Sequence, residues 1–257
     1  MNTTTYLPGR IESSKATSPT SLRRNARIAG ILYLIIIAAG MFAEFFVRTS
    51  LKVPGDAAAT ASNIIASEGL FRMGITSDLI MILSDIAIGL IFYVLLKAVN
   101  NALALLAAFF RLAQAAVLGI NLLNLFFVLQ LLSGADYLGV LGADQAQALA
   151  LLFFEAHGIG YSIAMVFFGL SLLVLGYLLY KSGYFPRILG VLLVFASFAY
   201  LADSFASFLL PNYANFEAIF GMVVVPLAFT TELALCLWLL LKGVNIQASD
   251  KTLPETA

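Results

Sequence analysis

The chain has 257 residues, of which 61% are hydrophobic and only 11% are charged, and its formal net charge is zero. Soluble domains carry about 25% charged residues, so a chain this apolar cannot cover itself with polar surface in water. The neutral charge balance and the absence of a nucleic-acid-binding motif argue against nucleic acid as a partner. We therefore predict an integral membrane protein in contact with a lipid bilayer.

Six long apolar segments follow a polar stretch, residues 1–27, which we predict to be a flexible cytoplasmic tail. Each segment is close to the roughly 20 residues that a helix needs to cross the hydrocarbon core. The predicted spans are 28–47, 73–96, 102–132, 156–180, 188–210 and 216–241. The predicted fold is all-α, a polytopic transmembrane bundle of six helices over residues 28–242, followed by a cytoplasmic tail at 243–257.

The distribution of lysine and arginine between the spans predicts their orientation, because cytoplasmic loops are enriched in both. With the N-terminus inside, the cytoplasmic side holds Arg10, Lys15, Arg23, Arg24, Arg27, Lys97, Lys181, Arg187, Lys242 and Lys251. The outer side then holds only Arg48, Lys52 and Arg72. We therefore predict a multi-pass protein of the cytoplasmic (inner) membrane, with both termini in the cytoplasm.

Weak internal similarity suggests that the six spans are three related helical hairpins. Arg27, Arg111 and Arg187 each open a similar apolar string, and the sequence around Asp85 matches that around Glu232. Parallel repeats of this kind are common in membrane transporters. The alternative explanation is that cytoplasmic helix ends carry positive charge in any case.

Polar residues inside the spans are the candidates for function, since a charge at the bilayer centre costs at least about 2.5–3.5 kcal/mol. The candidate intramembrane site consists of Asp78, Asp85, Arg111, Asn121, Asp203 and Glu232. A second, outer-side cluster is predicted from Glu44, Glu155 and His157, which we expect to lie at solvated helix ends. The single histidine and single cysteine disfavour a zinc or bis-histidine haem site within this chain, and we assign no metal, no cofactor and no catalytic residue.

The position of Arg111 is open at this stage. If the third helix starts near Ala102, Arg111 reaches the depth of Asp85 on the antiparallel neighbour, and the two can pair, with Glu232 as a third member. If the repeat holds, Arg111 lies at the cytoplasmic interface, and residues 102–110 lie along the membrane surface. The first alternative gives a buried ion pair, and the second gives an anchor.

Three functions are compatible with this pattern. The leading hypothesis is a small-solute or proton-coupled transporter, or a membrane-embedded binding protein, whose ligand the sequence does not identify. The alternative is a structural or accessory subunit in which polar side chains bridge helices or contact a membrane partner or a second copy. A membrane enzyme comes third, because only Glu155, His157 and Tyr161 would offer reactive groups.

Several short strings together carry a resemblance to a known family. They are Arg27-Ile-Ala-Gly-Ile-Leu-Tyr-Leu, Val53-Pro-Gly-Asp56, Phe71-Arg72 through Ser77-Asp78-Leu, Gly119-Ile-Asn-Leu-Leu-Asn124 and Gly183-Tyr-Phe-Pro-Arg-Ile-Leu-Gly190. Between about Arg23 and Asn245, the chain resembles the bacterial membrane family catalogued as domain of unknown function 4386. The resemblance implies several membrane spans and no established activity, so it assigns no catalytic or binding residues.

Overall fold

The computed structural model describes residues 19–245, and six long helices and one short helix make up most of this part. In chain order they are α1 (Pro19–Met41), α2 (Ala57–Ala66), α3 (Glu68–Leu96), α4 (Asn101–Leu131), α5 (Ala143–Ser182), α6 (Arg187–Leu209) and α7 (Glu217–Leu241). Helix α1 continues through a π-helical segment, Phe42–Arg48, and a short turn, Thr49–Leu51. All except α2 are long and apolar enough to cross a membrane, so the prediction of six helical spans is confirmed.

The ends of the chain differ from the predicted tails. Residues 19–27 form the first turns of α1 instead of a flexible tail, and Ala26 is fully buried. Pro19 suits the first position of a helix, because its missing N–H would have no partner there. At the other end, Val244 is buried, and the backbone N–H of Asn245 donates to the carbonyl of Tyr184 at 3.1 Å. The rest of the predicted tails, residues 1–18 and 246–257, lies outside the described residues.

Helix α5 is longer than the predicted span, since it begins at Ala143 and runs for 40 residues. At 1.5 Å per residue this is about 60 Å, twice the thickness of the hydrocarbon core. Its start is fixed by Gln145, whose side chain accepts a hydrogen bond of 2.7 Å from the backbone N–H of Gly142. The predicted span at 156–180 therefore occupies only the second part of this helix.

The six long helices form a closed ring. Each packs against its neighbours in chain order, and α7 packs against α1, while α2 packs against α5. Small residues permit a close crossing between α5 and α6, where a Cβ on Gly176 would lie 2.7 Å from the carbonyl oxygen of Gly190. The ring thereby separates an interior from an outer surface.

The outer surface of the ring is apolar and its interior carries charge. Large hydrophobic side chains such as Ile120, Leu90 and Phe195 are more than 60% exposed. In contrast, Asp85 and Arg111 are 2% and 3% exposed. This arrangement is the reverse of a soluble domain and suits a bundle surrounded by lipid, where lipid-facing residues are apolar and intramembrane charges face inward.

Candidate functional site

A polar and aromatic cluster occupies the middle of the ring. Each of the six long helices contributes one side chain to it. These side chains, called the central cluster below, are Tyr33 on α1, Asp85 on α3, Arg111 on α4, Phe168 on α5, Tyr200 on α6 and Glu232 on α7. The sequence predicted the three charged members, and it gave no indication of the three aromatic ones.

Arg111 lies in this cluster as one half of a buried ion pair. Its Nη2 atom is 2.9 Å from Oδ1 of Asp85, and both side chains are at most 3% exposed. Gln114, one turn further along α4, donates from Nε2 to the other oxygen of Asp85 at 3.0 Å. Helix α4 is continuous from Asn101, so residues 102–110 belong to the same helix as Arg111. Of the two alternatives for Arg111, the structure therefore shows the buried ion pair.

Aromatic rings enclose the guanidinium group of Arg111. Its Cζ atom lies 4.8 Å from the ring centre of Phe168 and 5.7 Å from that of Tyr33. Cations are attracted to the faces of such rings, and the attraction increases when water is excluded. On the α3 side, Gly89 permits the close approach, since a Cβ there would lie 3.3 Å from the Cβ and Cγ of Arg111.

The bonding of the guanidinium group is incomplete. Arginine carries five N–H donors, and the Nη2–Oδ1 contact has the distance of an ion pair without the alignment of a hydrogen bond. Within residues 19–245, no hydrogen bond of good geometry reaches Nε or Nη1 of Arg111, although the hydroxyl of Tyr33 lies near the guanidinium group. Polar atoms without partners in a buried site need a structural or functional explanation.

Glu232 forms the other side of the central cluster. The hydroxyl of Tyr200 donates to its Oε1 atom at 3.0 Å, and the Tyr200 ring packs edge-on against Phe168 at 5.1 Å between ring centres. Glu232 also interacts electrostatically with Arg111 and Asp85. The cluster therefore contains two carboxyl groups and one guanidinium group.

A second ionic group, called the Arg48 cluster, consists of Glu44, Arg48 and Asp78. The guanidinium group of Arg48 forms ion pairs with Asp78 and with Oε2 of Glu44, the latter at 2.8 Å from Nε. The side chains of Arg48 and Asp78 are 8% and 3% exposed, whereas that of Glu44 is 50% exposed. Arg48, which the charge distribution assigns to the outer side, is therefore buried against Asp78 of α3.

The π-helical segment explains the position of Arg48. Helix α1 does not end at Val47 but continues to Leu51, and Phe42–Arg48 has the wider π-helical turn. This segment carries both Glu44 and Arg48. π-Helical turns are rare and occur frequently at functional sites. The available sequence signal was the spacing of Glu44 and Arg48, which is four residues, as for ion pairs on a helix.

The predicted outer-side cluster of Glu44, Glu155 and His157 forms only in part, because His157 lies within range of the charge of Glu44 whereas Glu155 is paired with Lys52. His157 is 4% exposed, so its expected solvation is wrong, whereas the side chain of Glu155 is 49% exposed and lies 3.8 Å from the Nζ atom of Lys52. The physical reason is that residues two apart on a helix point in different directions. Of the three residues named for the enzyme hypothesis, His157 and Tyr161 lie together, with ring centres 6.4 Å apart.

Asn121 joins α4 to α5 and lies outside the central cluster. Its Nδ2 atom donates to the carbonyl of His157 at 2.8 Å, and its Oδ1 atom accepts from Nδ2 of Asn124 at 2.9 Å. The ring of His157 in turn approaches the carbonyl of Asn121 at 3.4 Å. This reciprocal contact indicates that Asn121 holds the two helices in register.

Asp203 is also separate from the central cluster. Its Oδ1 atom accepts a hydrogen bond of 2.6 Å from the hydroxyl of Tyr213, which lies in the short turn between α6 and α7. Partial burial, together with the bond to Asp203, raises the pKa of Tyr213. The prediction that Asp203 joins a common polar site is therefore wrong, because the end of α6 places it beside this turn.

Tyr161 lies near both ionic groups. Its hydroxyl is within range of the charges of Arg48 and Asp78 on one side and of Asp85 on the other. Polar groups therefore continue from the Arg48 cluster to the central cluster. These groups are carboxyls, which can bind and release a proton, phenols, which donate and accept hydrogen bonds, and guanidinium groups, which keep their positive charge. Within residues 19–245, no three His, Cys, Asp or Glu side chains lie close enough together to hold a metal ion.

Gly160 offers a direct test of the packing around Asn121. A Cβ on Gly160 would overlap Oδ1 of Asn121, whereas a Cβ on Gly158 would have no heavy atom within 4 Å. We expect Gly160→Ala to lower the free energy of unfolding by about 1–3 kcal/mol, as overpacking does elsewhere. Gly158→Ala is the matched control and is expected to be neutral. Chemical denaturation in detergent micelles measures both, and equal effects of the two variants would contradict this geometry.

The fold and the site together define a polytopic helical membrane protein with a charged interior. The family model described as "Domain of unknown function (DUF4386)" matches residues 28–243, and the chain belongs to this family. The chain is also 27% identical to an uncharacterised protein of Archaeoglobus fulgidus over 164 residues. This alignment covers 64% of this chain and 80% of that relative. No solved structure gives a significant match.

Proposed function

We propose that the protein is a proton-coupled transporter of a small solute, or a membrane-embedded binding protein, and that the central cluster is its proton-binding site. The observation that supports this proposal is the convergence of one side chain from each of six helices on a charged centre. Sites formed at the middle of a helical bundle in this way are typical of membrane transporters.

The charges of the central cluster support a proton site in particular. Arg111 neutralises Asp85, at 2.9 Å, whereas the hydrogen-bond partner of Glu232 is the neutral hydroxyl of Tyr200. An ionised carboxylate without a full counter-charge is costly in a low-dielectric interior. A proton on Glu232 balances the charge, and its release requires a change in the position of Arg111 or the arrival of a cation. Such a requirement couples proton movement to a change in structure.

Several predictions from the sequence belong to this proposal. They are the cytoplasmic membrane of a bacterial cell, both termini in the cytoplasm, and the descent of the six spans from three hairpins. Asp85 and Glu232, which the repeat aligns, both lie in the central cluster, and this agrees with the repeat hypothesis. Arg111 agrees less well, since it is buried whereas its repeat partners Arg27 and Arg187 are exposed.

A second candidate function is that of a structural or accessory subunit. The observation that favours it is the burial of the Asp85–Arg111 pair, whose side chains are 2% and 3% exposed. Polar contacts join membrane helices without transport or catalysis, and each contributes on average about 0.6 kcal/mol. In this case the charged residues stabilise the bundle, and a membrane partner or a second copy uses its outer surface.

Proton flux into proteoliposomes distinguishes the two candidates. The purified protein is reconstituted with a pH-sensitive dye inside, and a potassium gradient with valinomycin supplies the driving potential. We expect Glu232→Gln to lower the proton flux at least about tenfold, because loss of a positioned proton carrier has effects of this size or more. Asp203→Asn is the matched control, since Asp203 lies beside Tyr213 and outside the central cluster.

Two outcomes would reject the transport proposal. One is a wild-type flux no greater than that of protein-free liposomes, and the other is an equal flux for wild type and Glu232→Gln. If, in addition, Glu232→Gln lowers the thermal unfolding temperature while Asp203→Asn does not, the structural candidate is supported. A lowered flux with an unchanged unfolding temperature supports the proton-binding role.

A further inference from the structure

A small cavity lies next to Arg111, between α3, α4 and α5. It extends from the central cluster toward the end of the bundle where α3 finishes and α4 begins, here called the Lys97 end. Phe92 and Leu96 of α3, with Leu175 and Leu178 of α5, line it on the apolar side. The remaining wall is made of small or polar residues, namely Gly89, Ala104, Ala107, Ala108, Arg111 and Ser171.

The size of the cavity limits its occupant. Its free space is about 300 Å³ when the part open to the surroundings is included, but the enclosed part has room for only about one water molecule. An organic solute does not fit beside Arg111 in this conformation, whereas water does.

The polar groups of the wall match the bonding of water. Within residues 19–245, no hydrogen bond of good geometry reaches Nε or Nη1 of Arg111, and the side chain is 3% exposed. Ser171 donates from Oγ to the carbonyl of Ala107 at 2.9 Å, and its oxygen remains able to accept. A water molecule can accept from the guanidinium group and donate to Ser171, which satisfies both.

The cavity lies between the ion pair and the ends of α3 and α4. Leu96 is the last residue of α3, and Ala104 is the fourth residue of α4, so the wall reaches the helix ends. At the inner end, Gly89 lies one turn from Asp85 on the same face of α3. Water in this space therefore lies between the Lys97 end and the Asp85–Arg111 pair.

We propose that this cavity is a water-binding site that gives protons access to the Asp85–Arg111 pair from the Lys97 end. The absence of side-chain bulk at Gly89, Ala107 and Ala108 keeps the space open, and Arg111 with Ser171 makes it polar. The role in proton access rests on the proposed function. The presence of water does not, because it depends only on the cavity and its polar wall.

Hydroxyl-radical footprinting tests for the water. The full chain in lipid nanodiscs is exposed to a brief X-ray pulse, which makes radicals from water, and mass spectrometry measures oxidation of each side chain. We expect Phe92, which lines the cavity and is 6% exposed, to be oxidised several-fold faster than Phe198, which is 57% exposed on the lipid-facing surface. Equal rates at the two residues would overturn the proposal.

Two variants and one control connect the oxidation to this cavity. Ala108→Leu fills the space and is expected to reduce the oxidation of Phe92 to the rate of Phe198. Ser171→Ala adds no bulk, removes a polar partner and is expected to reduce the rate as well. Ala102→Leu, at an exposed position of α4, is the matched control and is expected to leave the oxidation rate of Phe92 unchanged.

Unchanged oxidation of Phe92 in both cavity variants would also overturn the proposal. Footprinting needs no proton flux, so its failure is distinct from failure of the transport proposal.

Discussion

Arg111→Ala is expected to lower the free energy of unfolding by about 3–5 kcal/mol, because it leaves a buried carboxylate without its counter-charge. Asp85 is 2% exposed and keeps only the hydrogen bond from Gln114 in this variant. The substitution also removes the cation that packs against the Phe168 ring at 4.8 Å. Chemical denaturation in micelles, or steric trapping in a bilayer, measures the loss.

The matched control for this prediction is Leu112→Ala. Leu112 is the next residue on α4 and is 49% exposed on the surface of the ring. Its truncation removes contacts with lipid and is expected to change the free energy of unfolding by at most about 0.5 kcal/mol. If Arg111→Ala has an equally small effect, the pair does not stabilise the bundle in the way that its burial indicates.

A double variant separates the two candidate functions. Replacing a buried ion pair by apolar residues of similar volume is often neutral for stability. We therefore expect Asp85→Leu combined with Arg111→Met to recover most of the stability lost in Arg111→Ala. If this stable variant also conducts no protons, the charges of the pair serve function. If its proton flux equals that of the wild type, the charges are structural.

The positions of the six helices could be predicted because the signal is local. A run of about 20 apolar residues is sufficient to identify a span, whatever its neighbours are. The Asp85–Arg111 pair was accessible as one of two alternatives, since depth along two antiparallel helices can be counted in residues. Only the observed start of α4 at Asn101 decides between them.

Rotations and helix ends could not be predicted in the same way. Glu155 and His157 differ in burial because of the rotation of α5 about its axis. That helix is apolar on all sides, so its sequence has no periodic pattern from which this rotation could be predicted. Tyr33 and Tyr200 look like any aromatic residue in an apolar run, and only packing around the ring brings them to the centre. The burial of Arg48 leaves Lys52 and Arg72 as the more exposed basic residues of the predicted outer side.

Arg48→Ala is the second substitution with a large expected effect. We expect it to lower the free energy of unfolding by about 3 kcal/mol, because it too leaves a buried carboxylate without its counter-charge. The chain provides a close control in Arg72, which pairs with the acidic residue four positions before it, as Arg48 does. Arg72 and its partner Glu68 are 57% and 53% exposed, so Arg72→Ala is expected to cost at most about 1 kcal/mol. Similar losses in the two variants would mean that burial does not strengthen the Arg48 pair.

Double-mutant cycles then separate the two partners of Arg48. Asp78 is 3% exposed and Glu44 is 50% exposed, so screening by water is much weaker for the pair with Asp78. We expect the coupling energy between Arg48 and Asp78 to exceed that between Arg48 and Glu44 and to depend less on salt concentration. The opposite order would show that Arg48 stabilises the protein mainly through its solvent-exposed pair with Glu44. The expected order instead means that the π-helical segment directs Arg48 to the interior, where it fixes α1 against α3 at one end of the polar interior.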